Sequence, residues 1–107
     1  MTRQQRRQRR RQRRELNESL QWASNDGDVL RVISLLQAGA NVHADNDYAL
    51  RWASRLGHAD VIALLLQAGA DVHANNDEAL RTASEKRLAD VVVLLLQAGA
   101  DVHAENG

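Results

Sequence analysis

The sequence predicts an all-α protein, a solenoid of helix-turn-helix units joined by short extended fingers, and three observations carry that prediction. The word Gln-Ala-Gly-Ala begins at Gln37, Gln67 and Gln97, a period of 30 residues. Within a period the small and apolar residues fall at helical spacing, as at Leu50, Ala53 and Ser54. The 107 residues include no Phe, Pro or Cys, so the core must be built from Leu, Val, Ile and Ala, which suits closely packed helices.

Cutting the chain at the period gives three units, 17–46, 47–76 and 77–106, after a basic tail, 1–16. Thirteen of the thirty positions match in all three units, and twenty-one match between the second and third. Asn17, Asp47 and Asp77 open the units and are placed to cap a first helix, a side-chain oxygen accepting an otherwise orphan amide. That helix should end near Gly27 or Gly57. A second should run through the Leu-rich stretch to Gln37, Gln67 or Gln97, after which Gly-Ala reverses the chain. Asp71-Val-His-Ala-Asn-Asn then reads as an extended finger.

The words Leu50-Arg-Trp-Ala-Ser, Gly57-His58 and Leu64-Leu-Leu-Gln-Ala-Gly-Ala-Asp-Val-His-Ala resemble the ankyrin repeat over residues 17–106. Asn25-Asp26-Gly27-Asp28 with Arg31-Val32 is similar to the opening repeat of many such proteins. The family's Thr-Pro-Leu-His box stands here as Tyr48-Ala49-Leu50-Arg51, and the period is three residues short of the usual 33, with the deficit between His73 and Glu78. The fingers should therefore be clipped. The Ala-Leu-Arg-Trp-Ala-Ser variety resembles ankyrin proteins abundant in large DNA viruses. What the resemblance implies is a protein-binding surface on the exposed face of the first helices and the finger tips.

Several chemistries are excluded or disfavoured. Without Cys there are no disulfides or thiolate metal sites. The longest apolar run, Val91 to Leu96, is far below the roughly 20 residues of a membrane span, and nothing resembles a signal peptide. The expectation is a soluble protein of the cytoplasm, with the nucleus as a second destination through the basic tail. His43, His73 and His103 recur once per unit, but packed helices lie ~8–10 Å apart and zinc takes His nitrogens at ~2.0–2.1 Å. Local hydrogen bonding within the finger is the better reading, with no metal and no cofactor, and His58 at the interhelical turn reads as structural too. Ser24, Ser54 and Ser84 accompany the histidines in every unit, which marks scaffold and not a single active site. No phosphate loop, His-Glu-x-x-His or dinucleotide fingerprint occurs, so no catalytic residue is assigned and the chain is not expected to be an enzyme.

Two features point to binding. Comparing the units shows that positions two, five and nine vary: Glu18, Gln21 and Asn25; Tyr48, Arg51 and Arg55; Glu78, Arg81 and Glu85. Their spacing puts them on one helical face. Tyr, Trp and Arg are the residue types enriched in binding hot spots, which selects Tyr48, Arg51, Trp52, Arg55 and Arg81 as partner contacts. Packing is the competing reading for Trp22 and Trp52. The third unit replaces Trp52, Leu56 and Gly57 with Thr82, Lys86 and Arg87, polar changes that predict a monomer.

The second feature is a charge split hidden by a formal net charge of zero. Residues 1–14 hold eight Arg (Arg3, Arg6, Arg7, Arg9, Arg10, Arg11, Arg13 and Arg14) and no acid, whereas residues 15–107 hold six bases against fourteen acids. The segment resembles the arginine-rich RNA-binding and nuclear-targeting segments of lentiviral Rev and Tat proteins, Rev more closely. It departs from Rev at Gln8 and Arg13, so base-specific readout is not implied. Guanidinium groups grip phosphate bidentately and release counterions. Nucleic acid through residues 3–14, an import receptor, a solvated tail, or docking on the chain's own acidic repeats are the open assignments, and the tail could turn helical once phosphate neutralises it. The expected function is thus a protein-interaction module with an electrostatic tail. The rival is an RNA- or DNA-binding protein that acts through the tail, with the repeats as scaffold.

Overall fold

The computed structural model describes residues 1–100. Those residues form α1 (Arg3–Asp26), α2 (Val29–Gln37), α3 (Ala44–Leu56), α4 (Ala59–Gln67), α5 (Ala74–Glu85) and α6 (Ala89–Gln97), with no strand among them. Consecutive helices pair, and the pairs stack: α1, α3 and α5 form one row, α2, α4 and α6 the other. This is the all-α solenoid of helix-turn-helix units that the period predicts. No helix of the described residues is long and apolar enough to cross a membrane.

The core is a ladder of equivalent positions. Leu20, Leu50 and Leu80 are buried in the first row with Ala23, Ala53 and Ala83 beneath them, and Val32, Ile62, Leu65, Val91 and Leu95 close it from the second row. Small residues in the first row let α1, α3 and α5 approach closely, so Leu50, Ala53 and Ser54 are fully enclosed. The hydroxyls of Ser24 and Ser54 are buried there without a hydrogen-bond partner.

Gly27 and Gly57 end α1 and α3 in the left-handed region, at φ 69° and 79°. Arg87 occupies the same place in the third unit at φ 58°, and the amide just after the left-handed residue closes the same bond in each: Asp28 N to Ala23 O, His58 N to Ala53 O, Leu88 N to Ala83 O, at 2.9, 3.0 and 2.9 Å. The backbone of the turn is shared although the residue is not. A Cβ on Gly27 would lie 2.8 Å from His58 Nδ1, so crowding by the imidazole adds to the preference for glycine that the angle sets.

Two local readings need correction. Asn17 does not open a helix: α1 starts at Arg3, capped by Thr2, and runs unbroken through residue 17. A helix already propagating adds one hydrogen bond per residue, and Arg and Gln are good helix formers, so no phosphate is needed to make the basic segment helical. The fingers are short, as the period requires, and fold on themselves. Ala44 N bonds Asn41 O and Ala74 N bonds Asp71 O, both at 3.2 Å. Three consecutive left-handed residues then interrupt the first turn of α3 and of α5, where finger meets helix: Asp45, Asn46 and Asp47 at φ 55°, 58° and 55°, and Asn75, Asn76 and Asp77 at 55°, 58° and 54°. Asn and Asp are the non-glycine residues that best tolerate that region.

Candidate interaction surface

Asp47 and Asp77, read from sequence as N-caps, are buried and serve a different purpose. Asp47 Oδ2 accepts the amide of Asp71 in the next finger at 2.7 Å, while its carboxylate takes a bond from His43 Nδ1 at 3.0 Å. A carboxylate oxygen can only accept here, so the imidazole proton sits on Nδ1. Asn17 Oδ1 accepts Asn41 N at 2.7 Å in the preceding step, and His73 Nδ1 donates to Asp77 at 2.9 Å. Asn17 and Asp47 thus each reach forward to fix the finger that follows, and His43 and His73 are held within their fingers as the sequence reading expects. His103 lies outside the described residues. His58 donates from Nε2 to Asn25 O at 2.8 Å, tying the second unit's turn to the first.

Arg51 and Arg81 clamp the left-handed triplets. Arg51 donates from Nε to Asn46 O at 2.9 Å and from Nη2 to Asp45 O at 3.1 Å. Arg81 repeats the pattern on Asn76 O and Asn75 O, at 3.0 and 3.3 Å. Nη1 of Arg51 then bridges units to Glu78 Oε2 at 2.8 Å. That hydrogen bond, followed by the charge of Arg51, holds the Glu78 carboxyl below its ordinary range, against the opposing effect of burial. With its side chain 16% exposed, Arg51 is already engaged by its own fold.

Along the same face of α3, Tyr48 and Trp52 stack with centroids 5.6 Å apart and planes at 29°. The guanidinium of Arg55 lies over Trp52 at 4.9 Å, and that of Arg51 over Tyr48 at 5.8 Å. Four side chains one helical turn apart thereby alternate cation and ring, half-buried except for Arg55, which is exposed. Trp22, in the preceding unit, is 69% exposed, so the packing reading does not describe it. Gln21 joins this face to the finger, donating to Asp45 Oδ2 at 2.7 Å.

The basic segment forms the projecting half of α1. Its capping box is complete: Gln5 N donates to Thr2 Oγ1 at 3.1 Å, and Thr2 N donates to Gln5 Oε1 at 2.9 Å. All eight arginines are exposed. Among the described residues none of them forms an ion pair, so the acids of residues 1–100 do not engage them. A shallow depression lined by Arg10, Arg13, Arg14, Asn17, Glu18 and Asp45 joins the segment to the first finger.

Sequence reasoning missed the Asp47 to Asp71 and Arg51 to Glu78 links, because both join residues far apart in the chain. The left-handed triplets did carry a signal, the runs Asp45-Asn46-Asp47 and Asn75-Asn76-Asp77.

No curated protein gives a significant match to the chain. A family profile described as ankyrin repeats in three copies does match, over residues 20–106. With that match over most of its length, and with helix pairs stacked in two rows and linked finger to finger, the chain belongs to the ankyrin repeat family.

Proposed function

We propose that the exposed face of the first-row helices, together with the finger tips, binds a protein partner, and that the basic half of α1 adds a separate electrostatic contact. Ankyrin repeats are generally protein–protein interaction modules. What supports a specific site here is the stacked Tyr48–Trp52 pair with Arg55 over its outer ring. Rings held in place by stacking lose little conformational freedom on binding, and preorganised aromatic and arginine side chains are the usual anchors of an interface. Arg51 and Arg81 frame the patch and fix the fingers on either side of it. The protein acts as a monomer in this reading, with residues 1–16 as the electrostatic arm and 17–106 as the binding body.

The test is affinity capture from lysate with the full chain, with and without nuclease, against Trp52→Ala and Arg55→Ala. Partners that survive nuclease and are lost in both variants support the proposal. Capture unaffected by either substitution would overturn the site.

The rival reading, nucleic-acid binding through residues 3–14 with the repeats as scaffold, is favoured by one observation: eight exposed guanidiniums on a projecting helix, none of them ion-paired among the described residues. In that case all captured material disappears on nuclease treatment or on removal of residues 1–14.

A further inference from the structure

We propose that the basic half of α1 is an arm for the major groove of duplex DNA, an inference that rests on reading that half as a phosphate-binding element. The arm is helical before it meets any ligand: a capping box closes its first turn, and the same helix is anchored by Leu20 and Ala23 in the core. Binding therefore costs little ordering.

The distribution of charge around the helix selects the ligand. With 3.6 residues per turn, the eight arginines spread over an arc of roughly 200°, and Gln4, Gln5, Gln8 and Gln12 fill the remaining side. Arg10 lies near the middle of the arc, and Arg9 and Arg11 at its two edges. A single strand laid along one side of the helix meets only part of so wide an arc. A groove with phosphates on both walls meets all of it.

The density of charge agrees. Arg3 to Arg14 spans about 17 Å at 1.5 Å per residue, roughly one positive charge every 2 Å, close to the one negative charge per ~1.7 Å of duplex axis. The B-form major groove, about 12 Å wide, admits an α-helix, whereas the A-form major groove of duplex RNA is deep and narrow. Glu15, Glu18 and Asp45 stand where the arm meets the body, so repulsion of phosphate ends the contact near residue 14. The footprint is then about 20 Å, or roughly six base pairs. Gln8 and Gln12 face away from the groove, and binding is largely indifferent to sequence.

Fluorescence anisotropy of the full chain over a salt series tests this with three labelled probes: a short mixed-sequence DNA duplex, one of its single strands, and the corresponding RNA duplex. The DNA duplex should bind tightest, by about tenfold at moderate salt. If six arginines reach phosphates, log affinity should fall against log salt with a slope of about −5. Gln8→Pro keeps every arginine but breaks the arm, and it should abolish the preference for duplex DNA while leaving the thermal transition of the repeats in place. Equal or tighter binding of single strand or duplex RNA would overturn the groove assignment and leave the phosphate reading standing. Unchanged duplex affinity in Gln8→Pro would overturn the role of the helix. Failure to bind any probe would overturn both.

Discussion

The two halves of α1 have the same secondary structure for different reasons. From residue 17 onward the helix is held by its neighbours, with Leu20 and Ala23 buried and Asn17 and Gln21 bonded to the first finger. The first half touches nothing comparable. Its helicity comes from a capping box, from residues of high helix propensity, and from growth out of a turn that is already formed. It is also opposed by its own charge, since eight cations repel one another and sit at the positive end of the helix dipole. One half is therefore structure that tertiary contacts require, and the other is structure available for use.

That contrast sets the order of expected effects. Leu20→Ala should lower stability by about 2–5 kcal/mol, the usual range for a cavity in a tight core. A chemical denaturation midpoint close to the parent's would mean that the packed half is less dependent on its neighbours than described. Asp47→Ala removes the acceptor of two bonds and orphans the Asp71 amide, a loss of about 1–3 kcal/mol. Hydrogen exchange should locate its effect at the second finger and not in α1.

Arg87→Gly works in the opposite direction. A left-handed backbone costs a side-chain-bearing residue roughly 1 kcal/mol, and glycine relieves it, less the extra freedom glycine gives the unfolded chain. The denaturation midpoint should rise, and a fall would mean that the Arg87 side chain makes up for its backbone.

A smaller effect should come from the Arg51–Glu78 bridge. The Glu78 carboxyl is held below its ordinary value when folded, so the contribution is complete above the unfolded value near 4.5 and fades as pH falls through the lower folded one. Glu78→Gln should flatten that part of the stability–pH curve, and an unaltered curve would show the bridge to be inert. The smallest effect belongs to the projecting half. Removing residues 1–14 should leave the thermal transition of the repeats almost unmoved, and a large drop would erase the distinction between the halves.

How much of this could be read from the chain depended on the range of each interaction. The units, the glycine turns, the ends of the second-row helices at Gln37, Gln67 and Gln97, and the small-residue stripe are local patterns and were legible. Asp47 reads as a helix opener because a carboxylate before an apolar stripe is locally indistinguishable from one that reaches into the next finger. Arg51 stood out as a variable exposed residue, and nothing local told of the carbonyls of Asp45 and Asn46 that occupy it. Tyr48, Trp52 and Arg55 were chosen by residue type and spacing, and their stacking follows from the same spacing. The unbroken α1 was obscured by the change of composition near residue 15, which alters what the helix displays without altering whether it forms.

The contact between Gly27 and His58 also means that the three units cannot be shuffled freely. A unit whose turn is followed by a histidine-bearing neighbour should itself end its first helix in glycine, since any Cβ there falls within 3 Å of the imidazole. The second unit meets that condition on both sides: it offers His58 to Gly27, and its own Gly57 faces Leu88, where a Cβ would find ordinary contact at 3.5 Å. A second copy of 47–76 could therefore be inserted directly after the first. Placing that unit after the third would bring Arg87 against the incoming histidine, so the preferred order is written in one atom at one turn.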